Sequence, residues 1–129
     1  MRDFYQILGY VVASCPNTYS ASSKYINTPN YPNNYGSGED CTWKLSAASG
    51  KRIKLGSFGY YIEDHSSCQY DYLKIYDGGS SSSRRLTTKC GSGSSSPIYS
   101  SGRNLFLRFH SDANTVGKGF RIYYSIISK

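Results

Sequence analysis

The chain has 129 residues, a formal net charge of +7 and 38% apolar residues. This length allows one domain with its own hydrophobic core and is too short for two domains of ordinary size. The cationic excess suits acidic or sulfated partners, but the basic residues form no single block, which argues against nucleic acid as a partner.

The N-terminal residues 1–14 resemble a poor secretory signal peptide, because Asp3, Gln6 and Tyr10 interrupt the charged start and the apolar run. No stretch reaches the roughly 20 apolar residues that a membrane-spanning helix needs, so no transmembrane segment is expected. We expect residues 1–14 to be an N-terminal extension, as a leader remnant, vector-derived sequence or an added edge strand. Residues 15–129 are expected to form the single domain.

Apolar residues at every second position mark several short segments, at 41–47, 72–76, 103–111 and 119–127. Turns rich in glycine, serine, asparagine and proline separate them, and we find no convincing amphipathic helix. The 14 tyrosines also suit strands better than a helical bundle. Short strands separated this often predict an all-β fold, an antiparallel β-sandwich.

The four cysteines are Cys15, Cys41, Cys68 and Cys90. Their wide spacing contains no Cys-x-x-Cys pair and no histidine at a zinc-ligand spacing, which argues against a zinc site. An even number in a small β-domain favours two disulfides and an oxidising compartment. Composition alone leaves all three pairings open.

Several segments carry a more specific pattern: INTPNYPNNY (26–35), CTWKL (41–45), GKRIKL (50–55), CQYDYLKIYDG (68–78), KCG (89–91), SSGRNLFLRFHSD (100–112) and GFRIYY (119–124). Their order and spacing resemble the extracellular CUB domain over residues 15–127. The resemblance implies a CUB-like jelly roll of two packed antiparallel sheets, with disulfides Cys15–Cys41 and Cys68–Cys90.

One position departs from the family pattern. Members usually place a phenylalanine two residues after the leucine that corresponds to Leu55, whereas this chain has Ser57 there and Phe58 one residue later. We therefore expect a bulge, or a one-residue shift in which side chains face inward, before Glu63.

Asp71 is unusual because it is a carboxylate at the entry to a strand. Many CUB domains carry a calcium site, and the resemblance implies that Glu63, Asp71 and Asp112 ligate Ca²⁺ here. It also implies oxygen ligands from Asn114, through its carbonyl, and from Thr115, with Tyr35 bracing the acidic residues by hydrogen bonding. Chemistry supports this set, because three of only eight acidic residues would repel one another at one end of a sandwich unless a cation neutralised them. The alternative is three separate surface acids, each paired with a lysine or arginine.

Other polar groups carry weaker hypotheses. We expect His65 and His110 to be solvated rather than metal ligands. Arg84, Arg85 and Lys89 form a basic segment that either binds sulfate or carboxylate groups or is an ordinary solvated surface. Catalysis is not supported, since neither Gly-x-Ser-x-Gly nor His-Glu-x-x-His occurs and all cysteines are assigned to disulfides, so we expect no enzyme.

Together these features predict a secreted, extracellular, calcium-dependent module that binds a protein through that partner's lysine or arginine. The alternative is a lectin-like or glycosaminoglycan-binding module similar to the single-domain spermadhesins, which would bind a sulfated glycan through the basic segment and tyrosines without needing metal. The two make opposite predictions, because a chelator would abolish the first interaction and added salt would weaken the second.

Overall fold

The computed structural model describes residues 9–15, 24–113 and 116–129. These residues form eleven strands and no α-helix: β1 Gly9–Ser14, β2 Tyr25–Asn27, β3 Asp40–Ala47, β4 Lys51–Leu55, β5 Phe58–Ile62, β6 Tyr72–Asp77, β7 Arg84–Lys89, β8 Gly91–Ser95, β9 Ile98–Tyr99, β10 Asn104–His110 and β11 Gly119–Ser128. All pairs are antiparallel and build two sheets, so the predicted all-β fold is confirmed. Across the described ranges, no helix is long and apolar enough to span a membrane.

The first sheet has the strand order β1-β3-β10-β6-β7. Its centre follows the alternation of the sequence, because Trp43 lies opposite Leu107 and Leu45 lies opposite Leu105, and all four side chains are buried. Apolar residues at every second position of a strand share one face, so this face is the one that packs inward.

The N-terminal residues that the structure describes extend this sheet. Strand β1 pairs along β3, with Val11 opposite Leu45 and Ala13 opposite Trp43, and Val12 is 55% exposed on the other face. Residues 9–14 thus form an edge strand of the sandwich, whereas residues 1–8 lie outside the described part.

The second sheet is built around the long strand β11. Strands β4 and β5 follow one another along one edge of β11, and β8 and β9 pair outside them. Strand β2 pairs with the opposite edge: the carbonyl of Tyr123 accepts from the amide of Gly56, while the next amide, of Tyr124, donates to the carbonyl of Lys24. Successive residues of a strand direct their backbone groups to opposite neighbours.

The departure at Ser57 is a bulge between β4 and β5. Tyr124 lies opposite Leu55, but Phe120 lies opposite Tyr60, so one extra residue is accommodated between these two pairs. Inward-facing residues accordingly change from Leu55 to Phe58, both of which are buried. The expected shift of inward direction is confirmed.

The two sheets meet in an aromatic core. Phe120 of the second sheet contacts Trp43 and Phe109 of the first edge-on, with ring centroids 6.0 and 5.7 Å apart. Each fully buried side chain of this size contributes roughly 1.5–3 kcal/mol of hydrophobic stabilisation. This core places the strand ends that carry the acidic residues at a fixed separation.

Two disulfides brace the sandwich. Cys15 is bonded to Cys41, and Cys68 to Cys90, as the family resemblance implied. The second bond joins Cys68, which lies three residues before Asp71, to Cys90, which directly follows β7.

Candidate metal centre

Asp71 is the fixed point of the acidic cluster. It lies directly before β6 and its side chain is 0% exposed. Its Oδ2 accepts a 2.6 Å hydrogen bond from the hydroxyl of Tyr35, and its Oδ1 accepts a 2.8 Å bond from the backbone amide of Asp112. Donors on both oxygens fix the orientation of the carboxylate, and each oxygen retains a further lone pair for a cation.

Strand ends from both sheets bring the other two acidic residues to Asp71. Glu63 follows β5 of the second sheet, and Asp112 follows β10 of the first. Both are half-buried, and one carboxylate oxygen from each of the three residues lies within 4.8 Å of the others. The three predicted acidic residues therefore converge at one end of the sandwich.

Tyr35 connects two members of this cluster. Its hydroxyl donates to Asp71 and accepts a 3.2 Å hydrogen bond from the backbone amide of Glu63. Its ring is 1% exposed and packs edge-on against Phe109 at 4.8 Å. Burial and the hydrogen bond to Asp71 both raise the pKa of the Tyr35 phenol above its ordinary value, so the hydroxyl keeps its proton and remains a donor.

A hydrogen-bonded loop holds Asp112, and sequence reasoning did not identify it. Buried Ser111 donates through Oγ to the carbonyl of Gly36 at 2.8 Å, and the same Oγ accepts from the amide of Glu39 at 2.8 Å. The amide of Gly38 donates to the carbonyl of Asp112 at 2.8 Å. Ser111 was detectable in principle, since it continues the inward-facing positions of β10 and a buried hydroxyl needs partners.

The donor set fits calcium. Calcium binds oxygens at about 2.3–2.6 Å, so two of its ligand atoms are at most about 4.6–5.2 Å apart, a limit that the 4.8 Å cluster satisfies. Carboxylates from three chain segments supply hard oxygen ligands, and no histidine or cysteine belongs to the cluster among the described residues. Asn114 and Thr115, the two further ligands that the resemblance implied, lie outside those residues.

The two histidines have structural contacts rather than full solvation. His65 accepts at Nδ1 from the amides of Ser67 and Gln69, at 3.1 and 3.2 Å, and thereby orders the loop before Asp71. His110 stacks on Tyr72 with centroids 5.3 Å apart.

The basic segment of β7 does not form one surface. Arg84 pairs with Asp77 at 3.5 Å, and Lys89 lies 5.7 Å from the ring centroid of Tyr60, a residue of the second sheet. Arg85 instead lines an open cleft with Lys74 on the outer face of the first sheet. A bulge between Ile75 and Tyr76 changes the register along β7 and contributes to this division.

Known proteins show the same pattern of residues and the same architecture. A family model for the CUB domain matches residues 15–124. The chain belongs to the CUB domain family. CUB domains are non-catalytic binding modules that bind extracellular proteins in related molecules.

Curated relatives of this CUB domain are much longer proteins. It is 39% identical to Tolloid-like protein 2 of Mus musculus over 113 residues, which are 88% of this chain and 11% of that protein. It is 36% identical to Cubilin of Homo sapiens over 110 residues, 85% of this chain and 3% of that protein. The CUB domain thus spans about a tenth or less of these two relatives, which belong to extracellular or secreted families.

Solved structures share the fold of this CUB domain. It superposes on the MASP-1 CUB2 domain bound to Ca²⁺ with a TM-score of 0.71 and 29% identity, covering 87% of this chain and 99% of that one. The CUB1-EGF-CUB2 domain of human MASP-1/3 gives a TM-score of 0.73 at 28% identity, covering 81% of this chain and 41% of that chain.

Proposed function

We propose that this CUB domain is a secreted, calcium-dependent module that recognises an extracellular protein. The observation that carries the proposal is the convergence of Glu63, Asp71 and Asp112, whose ligand oxygens lie within 4.8 Å of one another. The MASP-1 CUB2 domain, a structural relative at 29% identity, was solved bound to Ca²⁺, which supports the choice of cation.

The three carboxylates have different roles in this proposal. Buried Asp71 anchors the site, because Tyr35 and the amide of Asp112 hold both of its oxygens. Glu63 and Asp112 are half-buried and reach the cation from the two sheets. Asn114 and Thr115, which follow Asp112, would add oxygen ligands. Bound calcium would supply the positive charge that lets three carboxylates remain close together.

The proposed partner group is a lysine or arginine side chain of another protein. Glu63 and Asp112 are half-buried, so part of their surface is accessible to solvent and a cationic side chain can approach the site. Charge-assisted hydrogen bonds between a fixed carboxylate and such a group are stronger than neutral ones. The interaction would then depend on calcium, because the metal sets the position of the acceptor oxygens.

A calcium titration by calorimetry tests the metal site directly. The wild-type domain should bind one Ca²⁺, whereas Asp71→Asn should remove binding, since an amide replaces the anchoring carboxylate without changing its size. Asp40→Asn is the matched control, because exposed Asp40 pairs with Arg108 outside the cluster and its loss should leave affinity unchanged. Equal calcium affinity in wild type and Asp71→Asn would refute the proposed site.

A further inference from the structure

The two sheets differ in charge. None of the six strands of the second sheet contains an acidic residue. Two ion pairs, Arg84 with Asp77 and Arg108 with Asp40, connect strands of the first sheet. The cations of the second sheet are therefore not neutralised by neighbours within it.

Several of these cations share the outer face of the second sheet with tyrosines. Residues directly opposite each other in an antiparallel pair lie on the same face, and in this sheet Tyr123 is opposite Tyr25 and Lys54 is opposite Tyr99. The residues that alternate with them, Ile53 and Ile122 among them, are buried. We call this outer surface the basic tyrosine face; it consists of Tyr25, Arg52, Lys54, Tyr99, Arg121 and Tyr123.

The tyrosine rings hold the cations along the sheet. The guanidinium carbon of Arg121 lies 4.3 Å from the centroid of Tyr25, and that of Arg52 lies 5.1 Å from Tyr99. The Nζ of Lys54 is 5.8 Å from the same Tyr99 ring. Such contacts restrain long side chains before any ligand arrives, which lowers the entropy lost on binding.

A shallow cleft of about 400 Å³ opens on this face. Lys24, Lys54 and Tyr123 line it, and no acidic side chain does. The ring of Tyr123 is 63% exposed and is held by an edge-on contact with Tyr25 at 5.6 Å. The cleft therefore presents two cations beside an accessible aromatic ring.

We propose that the basic tyrosine face binds a sulfated polysaccharide. Lys54 lies opposite Ser125, four residues along β11 from Arg121, so these two cations are separated by roughly 13 Å along the sheet. Cations spread in this way can contact separate sulfate groups of a linear polyanion, while the ring of Tyr123, which lies between them along β11, packs against a sugar ring. An acidic peptide that pairs as a strand would dock at a sheet edge, whereas these cations lie on a sheet face. A disulfide-bonded domain is typical of the extracellular space, where sulfated polysaccharides are abundant. This interaction goes beyond the proposed calcium-dependent one and does not require metal.

Heparin binding measured in EDTA at several salt concentrations tests the proposal. Changing Arg52, Lys54 and Arg121 together to glutamine should weaken heparin affinity by about tenfold or more. The slope of log affinity against log salt should become shallower by roughly one unit for each cation that contacts a sulfate. The matched control changes Arg84, Arg85 and Lys89 to glutamine, which removes the same charge from β7 and should have little effect. Equal loss in both variants would show that net charge alone binds heparin and would overturn the proposed face.

Tyrosine variants and competitors separate a sugar from other polyanions. Tyr123→Ala should lower heparin affinity severalfold with an unchanged salt slope. Tyr70→Ala, which removes a 46%-exposed ring from the loop between β5 and β6, should leave heparin affinity unchanged. Desulfated heparin should fail to compete. Competition by poly-glutamate or single-stranded DNA as effective as that by heparin would overturn the assignment to a sulfated polysaccharide. Thermal melts confirm that each variant is folded.

Discussion

The hydroxyl of Tyr35 donates a 2.6 Å hydrogen bond to Oδ2 of Asp71, and both residues are buried, at 1% and 0% exposure. A buried carboxylate is stable only where hydrogen bonds or a cation compensate its lost hydration. Tyr35 supplies one such bond and also accepts from the amide of Glu63, so one phenol positions two acidic residues from different sheets.

Tyr35→Phe should therefore weaken both the fold and the site. The change leaves Asp71 Oδ2 and the amide of Glu63 without this partner, which costs about 1–3 kcal/mol in buried surroundings. Chemical denaturation should show the loss of unfolding free energy, and a calcium titration should show weaker binding. The control is Tyr123→Phe, at a residue 63% exposed, which should change neither. A Tyr35→Phe variant with wild-type stability and calcium affinity would contradict the bracing role.

Stability at alkaline pH should also depend on Tyr35. Burial and the bond to Asp71 raise the pKa of its phenol in the folded state, whereas the unfolded chain ionises near the ordinary value of about 10. Above that pH the unfolded state releases a proton that the folded state retains, so stability falls by up to about 1.4 kcal/mol per pH unit. Denaturation between pH 9 and 11 should show a smaller decline for Tyr35→Phe than for wild type. Parallel declines would indicate that Tyr35 does not cause the loss.

Ser111→Ala should disturb the loop that holds Asp112. It deprives the carbonyl of Gly36 and the amide of Glu39 of their bonds to Oγ, at an expected cost of about 1–3 kcal/mol. Calcium affinity should fall as well, because the backbone amide of Asp112 would no longer be held against Asp71. Ser125→Ala, on an exposed serine, serves as control. Unchanged calcium affinity in Ser111→Ala would show that Asp112 is positioned without this loop.

Removing the second disulfide should affect the metal site through the chain that leads to Asp71. Changing Cys68 and Cys90 to alanine opens a loop with a sequence separation of 22 residues, which costs roughly 3 kcal/mol on the chain-entropy model. Because Asp71 lies three residues after Cys68, calcium affinity should fall together with stability. Denaturation and calcium titration at a temperature where the variant is folded measure both effects, and a destabilised variant with full affinity would contradict the coupling.

Local periodicity was sufficient to predict the sandwich. In β3 and β10, buried apolar residues alternate with more exposed ones, as at Trp43, Leu45, Leu105 and Leu107. Because successive strand residues point to opposite faces, this alternation shows that one face of the sheet packs inward. The acidic cluster was predicted from the family resemblance, because alternation says nothing about which strand ends meet. The burial of Ser111 follows from the alternation of β10, but its partners Gly36 and Glu39 lie more than 70 residues away in the chain and leave no local signal. The division of the β7 cations depends on a bulge, which leaves no local signal either.

We expect Glu63, Asp71 and Asp112 to form a calcium site in the folded chain. They come from separate parts of the chain, so the unfolded state cannot present them together and calcium should bind the folded form almost exclusively. At a calcium concentration a hundredfold above Kd the stabilisation is about 2.7 kcal/mol, which raises Tm by several degrees, on the order of 10 °C. This shift should vanish at low pH, because the ligands must be ionised to bind metal.

The most direct test is a pair of thermal melts at neutral pH with the disulfides intact, one in excess calcium and one in EDTA, for wild type and for Asp71→Asn. Wild type should have a higher Tm in calcium than in EDTA, whereas the two melts of Asp71→Asn should superimpose. Superimposable melts for the wild-type domain would show that the three carboxylates hold no calcium.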